Sequence, residues 1–151
     1  MSVNILIVED NATKQIEIEK TLSGANYRTR AVRSIAQAYL ALGAGSWELV
    51  ILDMTFQVGT TTGFQKEPLA GVELLQFMTK RKLSIPVIVA TQHSSFSGSN
   101  IEGVDTIEDL HLLLSDSFPR NYRQTVEVDL SEEGWKSTLR AAVEAILEEM
   151  P

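Results

Sequence analysis

Two apolar runs in this chain end in carboxylates, and no other feature points so directly to chemistry. Asn4-Ile5-Leu6-Ile7-Val8 leads into Glu9-Asp10, and Leu49-Val50-Ile51-Leu52 leads into Asp53. If the two runs are neighbouring strands, three carboxylates converge on one small volume. At ~5 Å separation and an effective dielectric of ~20, each pair would repel by roughly 3 kcal/mol. Such a cluster calls for a cation or a shared proton.

The elements that must hold these acids are legible in the pattern around them. Unbroken β-branched and leucine runs bounded by polar residues read as strands buried on both faces of a parallel sheet. Asn11-Ala12-Thr13 starts a first helix that runs to Gly24, and Tyr27 to Val32 is a second, more polar strand. A short helix spans Ser34 to Leu42, and Leu49 to Leu52 is the third strand. A Thr- and Gly-rich segment from Met54 to Pro68 reads as a loop before helical patterning resumes over Ala70 to Met78. Ile85 to Ala90 is the fourth strand, followed by a Ser/Gly-rich stretch from Gln92 to Gly103. Thr106-Ile107-Glu108-Asp109 has the form of a capping box opening a helix with Leu110, Leu113 and Leu114 on one face. Phe118-Pro119 ends it. Thr125 to Val128 is a fifth strand, and Ser131-Glu132-Glu133 is expected to cap a last helix. That helix carries Trp135, Leu139, Ala142, Val143, Ile146, Leu147 and Met150 at three- and four-residue steps. Strand and helix alternating five times predict an α/β fold, a doubly wound parallel sheet with helices on both faces. In such sheets the ligand crevice lies beyond the carboxyl ends of the strands, where the strand order reverses.

Composition sets the frame. The 151 residues are expected to form a single domain, 1–151, with one core. A hydrophobic fraction of 44% and a charged fraction of 22% are those of an ordinary globular protein. The N-terminus turns to strand character within three residues, which leaves no room for a signal peptide, and no apolar stretch nears the ~20 residues of a membrane span. With no cysteine there is neither a disulfide framework nor a thiolate metal site, so a cytoplasmic protein without membrane contact is expected. A net charge of −7 and a pI near 4.8 argue against binding nucleic acid.

The order of elements together with the acids resembles the receiver domain of two-component response regulators. The residues that carry the resemblance are Ile5 to Asp10, Leu49 to Asp53, Gly71-Val72-Glu73-Leu74-Leu75 and Ile85 to Thr91, four segments in the right order over nearly the whole chain. The resemblance implies a flavodoxin-like sheet of order 2-1-3-4-5. It makes Asp53 the phosphoacceptor, with Glu9, Asp10, Asp53 and the backbone carbonyl of Thr55 as ligands of Mg2+. Thr91 takes the place of the hydroxyl that binds the phosphoryl group and switches. The implied partners are a histidine kinase or phosphotransfer protein and a downstream protein reached in trans, since the length leaves no room for an attached output domain.

Three departures stand against the family pattern. Aligning Thr125 to Leu130 with the family's last strand puts Asp129 where a lysine is expected. Losing that charge-assisted partner would weaken the phosphorylated state by about 1.5–3 kcal/mol, and an acid there would repel it. Lys66 is a candidate replacement cation. The strand's usual aromatic position falls on Val126, and the chain is long between Asp53 and Gly71 and between Thr91 and Asp129.

Several other residues have plainer readings. Gly59-Thr60-Thr61-Thr62-Gly63 looks like the phosphate-cradling loop of flavodoxins, but it follows the third strand rather than the first and reads as an insertion. His93 falls on a loop near the acids, and His111 lies inside the leucine-rich helix as a structural residue. The stripe from Trp135 to Met150 reads as core, with a homodimer surface as the lesser alternative. No Ser/His/Asp grouping, HExxH, P-loop or dinucleotide fingerprint is present, so the chain is not expected to be an enzyme. The expected function is a stand-alone receiver in a phosphorelay. The alternatives are a pseudo-receiver acting as a phosphorylation-independent interaction module, and a cofactor or nucleotide binder using the Thr/Gly loop.

Overall fold

The computed structural model describes residues 3–24, 26–60, 63–67, 69–92 and 103–150. Its elements, in chain order, are β1 (Val3–Val8), α1 (Ala12–Leu22), β2 (Tyr27–Val32), α2 (Ile35–Ala44), β3 (Leu49–Leu52), β4 (Phe56–Thr60), β5 (Gly63–Glu67), α3 (Gly71–Lys80), β6 (Val87–Thr91), α4 (Ile107–Ser117), β7 (Tyr122–Glu127) and α5 (Gly134–Glu148). Five strands form one parallel sheet in the order β2-β1-β3-β6-β7. Numbered within that sheet alone, this is the expected 2-1-3-4-5.

Two cores cover the sheet because successive strand residues face opposite sides. Leu6, Val8, Val50, Leu52, Val87 and Val89 join α2, α3 and α4 on one face. Ile5, Ile7, Leu49, Ile51, Ile88 and Ala90 join α1 and α5 on the other. Covering both faces is what makes β1, β3 and β6 read as unbroken apolar runs. The stripe on α5 is core: Trp135, Leu139, Ala142, Val143 and Ile146 are all buried. Asn121 ties the opposite edge of the sheet together, its buried side-chain amide donating to the carbonyls of Leu83 at 2.6 Å and Ile85 at 3.0 Å. Asn121→Ala would strand both acceptors and should lower stability by about 2 kcal/mol, read as a shift in the urea midpoint at unchanged slope.

Four expectations need correction. The segment after β3 is not a plain loop: Phe56–Thr60 and Gly63–Glu67 pair antiparallel as a hairpin. Buried Phe56 and Leu69 anchor its two ends in the core. The last sheet strand starts at Tyr122 rather than Thr125 and stops at Glu127. Its first half is masked in sequence by the polar residues Arg123 and Gln124 of a strand at the sheet edge. The fourth sheet strand begins at Val87, after Pro86. Ser131 does not cap α5, whose N-cap position is Glu133 without a side-chain bond. Its hydroxyl donates instead to Asp129. The capping box at Thr106 is present as expected, with Asp109 as the reciprocal acid. No described helix is long and apolar enough to cross a membrane.

Candidate functional site

The acids sit where β1 and β3 end side by side. The amide of Asp53 donates to the carbonyl of Val8 at 3.0 Å, and that of Glu9 to Val32 at 3.0 Å, so the ladder continues one residue past each strand and aligns the carboxylates. The register Leu52↔Val89 puts the next residue pair, Asp53 and Ala90, across from each other. Thr91 follows one position on, fully buried at the end of β6. Glu9, Asp10 and Asp53 each place a carboxylate oxygen within 4.8 Å of the others. Glu9 and Asp53 are buried and Asp10 partly so. The sequence expectation of three converging acids is met.

Close packing shapes the floor of the site. The Asp53 Oδ1 accepts the Met54 amide at 2.7 Å and is 3.4 Å from the amide of Thr55, a buried residue. The Gly71 amide donates to the Met54 carbonyl at 2.9 Å, so α3 starts directly against the segment that carries Asp53. On the other side, Glu9 Oε2 accepts the Asn11 amide at 3.1 Å, and Asn11 Oδ1 in turn caps α1 by accepting the Lys14 amide at 3.0 Å.

Lys14 is the residue that sequence reading missed. Its side chain is fully buried, and its ammonium lies 2.7 Å from Glu9 Oε1 and 3.4 Å from Asp53 Oδ1. It also donates to the Ala90 carbonyl at 2.6 Å. A lysine on α1 thus reaches across the end of β3 to β6 and sits among the acids. Its stem belongs to a helix that is well held: Arg140 of α5 donates from both Nε and Nη2 to the Thr21 carbonyl, at 3.2 and 2.6 Å. Lys136 pairs with Glu17 at 3.2 Å. One signal could have found Lys14. The first turn of a helix ordinarily favours acids over cations, and the first turn of α1 has none while carrying this lysine.

Among the described residues, three carboxylates and one ammonium give the pocket a formal charge of −2. Burial pushes the Glu9 carboxyl up from 4.5 to about 7. Loss of hydration is the main cause, the Lys14 charge pulls back, and the Asp53 charge pushes the same way as burial. A carboxyl that holds its proton more tightly when folded stabilises the protein fully below its unfolded pKa of 4.5, and that contribution is lost as pH rises through about 7. The metal-free protein should therefore lose about 2–3 kcal/mol between pH 5 and pH 8 from this group, measured by urea unfolding. Stability flat or rising over that interval would contradict the assignment. Among the described residues, the other shifted carboxylates, Asp109 and Asp129, are lowered below 3.8 and do not titrate in this window.

The donor set suits a divalent cation. Three hard carboxylate oxygens within 4.8 Å of one another come close to the roughly 4 Å between opposite ligands of an ion with ~2.1 Å bonds. Glu9 Oε1 is buried and makes no aligned hydrogen bond, its contact being the ion pair with Lys14. Among the described residues, Glu9, Asp10 and Asp53 form a group that could hold a metal ion.

Asp129 is not among the clustered acids. Asp129 is exposed, its Oδ1 accepts both the amide and the hydroxyl of Ser131, and those bonds lower its pKa. It closes a turn rather than joining the acid group. Lys66 lies on β5, and its side chain falls outside the described residues, as do His93 and the stretch 93–102. Val126, at the position aligned with the family's aromatic, is buried in the core against α5. His111 lies on α4 as expected, its Nδ1 2.7 Å from the Tyr122 hydroxyl, which is 2.6 Å from Thr125 Oγ1.

No family model and no curated protein sequence matches the chain. Several solved structures match it over almost their full lengths. The signal receiver domain of an HD domain-containing protein from Pseudomonas fluorescens Pf-5 superposes with a TM-score of 0.68 at 16% identity, covering 98% of this chain and 96% of that one. A two-component response regulator from Clostridium difficile gives 0.65 at 14% identity, covering 99% and 98%. The chain has the receiver-domain fold. A CheY-like response regulator receiver domain protein from Methanospirillum hungatei JF-1 agrees, with a TM-score of 0.64 at 15% identity, covering 98% and 96%. Within this receiver fold the hairpin β4–β5 is carried between β3 and α3, directly after Asp53 and Thr55.

Proposed function

We propose that the chain is a receiver protein of two-component signalling that accepts a phosphoryl group on Asp53 and acts on a separate protein partner. The observation that carries this reading is the convergence of Glu9, Asp10 and Asp53 at the carboxyl edge of a receiver-fold sheet. The donor would be a phosphohistidine of a kinase or phosphotransfer protein. Glu9, Asp10 and Asp53, with the Thr55 carbonyl, would hold Mg2+. That ion supplies charge neutralisation for the incoming phosphoryl group when bound.

The chain's own residues do the rest. Asp53 Oδ1 accepts the Met54 amide at 2.7 Å and faces the Thr55 amide and the Lys14 ammonium, each at 3.4 Å, so Oδ2 would be the attacking atom. A new O–P bond forms as the P–N bond to the donor imidazole breaks, and the imidazole keeps the electron pair and takes up a proton. Thr91, one strand away, supplies a hydroxyl for the phosphoryl oxygens. Its carbonyl already binds the Val128 amide at 2.8 Å, so a shift there would be felt where β7 ends. Such a change converts local charge into altered surface shape.

The test is intact mass after incubation with Mg2+ and acetyl phosphate. Wild type should gain about 80 Da and Asp53→Asn should gain nothing. An unlabelled wild type, under conditions that label a control receiver, would rule the reading out.

One observation favours a second reading, a pseudo-receiver used as a constitutive interaction module. Lys14 already offsets part of the pocket's charge without any phosphate. On that reading Asp53→Asn leaves partner binding unchanged. On the first it abolishes regulation.

A further inference from the structure

We infer that Lys14 is the phosphoryl-binding cation of this site, delivered from the first helix and moving from Glu9 to the phosphoryl oxygens once Asp53 is modified. This rests on the reading of Asp53 as the phosphoacceptor and adds the residue that makes the modified state tolerable. A phosphoryl group brings close to two negative charges into a pocket that already holds three carboxylates. The ammonium in contact with both Glu9 and Asp53 is that of Lys14.

Its position suits the task. At 3.4 Å from Asp53 Oδ1 the ammonium is just beyond hydrogen-bond length of the unmodified carboxylate. A phosphoryl group added at the neighbouring Oδ2 would offer the ammonium a stronger anionic partner on the same side chain. The Ala90 carbonyl, at 2.6 Å, anchors the ammonium from the β6 side and can be kept during the exchange. What is exchanged is Glu9 Oε1, which has no other hydrogen-bond partner. A dianion outcompetes a monocarboxylate for one ammonium. A fully buried ion pair is a poor source of stability, since apolar side chains of similar volume commonly do as well. A charge-binding role explains why this space holds an ion pair rather than a pair of apolar side chains.

The probe is beryllofluoride with Mg2+, a mimic of the phosphoryl group on a carboxylate, with Lys14→Met as the variant. Wild type should bind it, and Lys14→Met should bind it at least about tenfold more weakly. Mg2+ alone, titrated calorimetrically, should bind Lys14→Met no more weakly than wild type, because losing the ammonium takes the formal charge of the pocket from −2 to −3. Beryllofluoride affinity equal to that of wild type would overturn the inference, and so would a parallel fall in both affinities, which marks a merely structural role. A second measurement needs no variant: the buried ammonium should give a slowly exchanging lysine 15N signal in wild type. That signal should shift when beryllofluoride is added, and a fixed signal on a complex that has formed would overturn the inference. If wild type neither binds beryllofluoride nor takes up phosphate, the phosphoacceptor reading itself has failed. A wild type that does both while Lys14→Met binds equally well removes Lys14 alone.

Discussion

Gly71→Ala should destabilise the protein by about 3 kcal/mol or more, at the upper end of what overpacking costs. A β-carbon there would lie 2.4 Å from the Asp53 carbonyl oxygen, 2.7 Å from Met54 Cε and 3.0 Å from Met54 Cα. Two of those three atoms are backbone, so no rotamer change relieves the clash. The strain must move either the start of α3 or the segment that carries Asp53. The Gly71 amide is bonded to the Met54 carbonyl, which couples the two movements. Urea unfolding should show the loss. Mg2+ affinity should fall with it, because the displaced residue is next to a proposed ligand. Gly43→Ala is the control: it lies within α2 with nothing within 4 Å of the added carbon, and it should stabilise by up to about 1 kcal/mol through helix propensity. Equal behaviour of the two variants would contradict the close-packing account.

Lys14→Met should cost about 3–5 kcal/mol at pH 8 without Mg2+, the usual result of removing one partner of a buried pair. Methionine fills similar volume, so the loss is electrostatic: Glu9 and Asp53 stay buried, facing each other without their cation. Two features separate this from a packing defect. At pH 5 the deficit should shrink, because Glu9, whose pKa is raised to about 7, takes up a proton. Added Mg2+ should restore stability at pH 8, because it replaces the lost positive charge. Urea midpoints over the two pH values, with and without Mg2+, read all of this. A Lys14→Met protein as stable as wild type at pH 8 in the absence of Mg2+ would show that the ion pair does not matter.

What was legible in the sequence follows from what was local. β1, β3 and β6 stand out because both faces of those strands are covered, so all their residues but Asn4 and Thr91 are apolar. The capping box at Thr106 needs four consecutive residues and was readable for that reason. The converging acids were legible because each immediately follows a buried strand. Lys14 was not, because its partners Glu9, Asp53 and Ala90 come from three different strand ends, and no linear spacing encodes that reach. The hairpin β4–β5 was hidden by the Thr and Gly content of its turn region, which reads as loop. The start of β7 was hidden by polar residues on a strand at the sheet edge. Asp129 was misjudged for a related reason: alignment gave its position along the chain but not the direction of its carboxylate, which Ser131 holds in a surface turn.

On the proposed function, one pocket built from Glu9, Asp10, Asp53 and Lys14 receives a phosphoryl group on Asp53. A crystal structure of the protein with Mg2+ and beryllofluoride tests it most directly. The density should show beryllium bonded to a carboxylate oxygen of Asp53, Mg2+ among the three acids, and the Lys14 ammonium on a fluoride with its contact to Glu9 Oε1 released. Density showing Asp53 unmodified under saturating beryllofluoride, with Lys14 still 2.7 Å from Glu9, would contradict it.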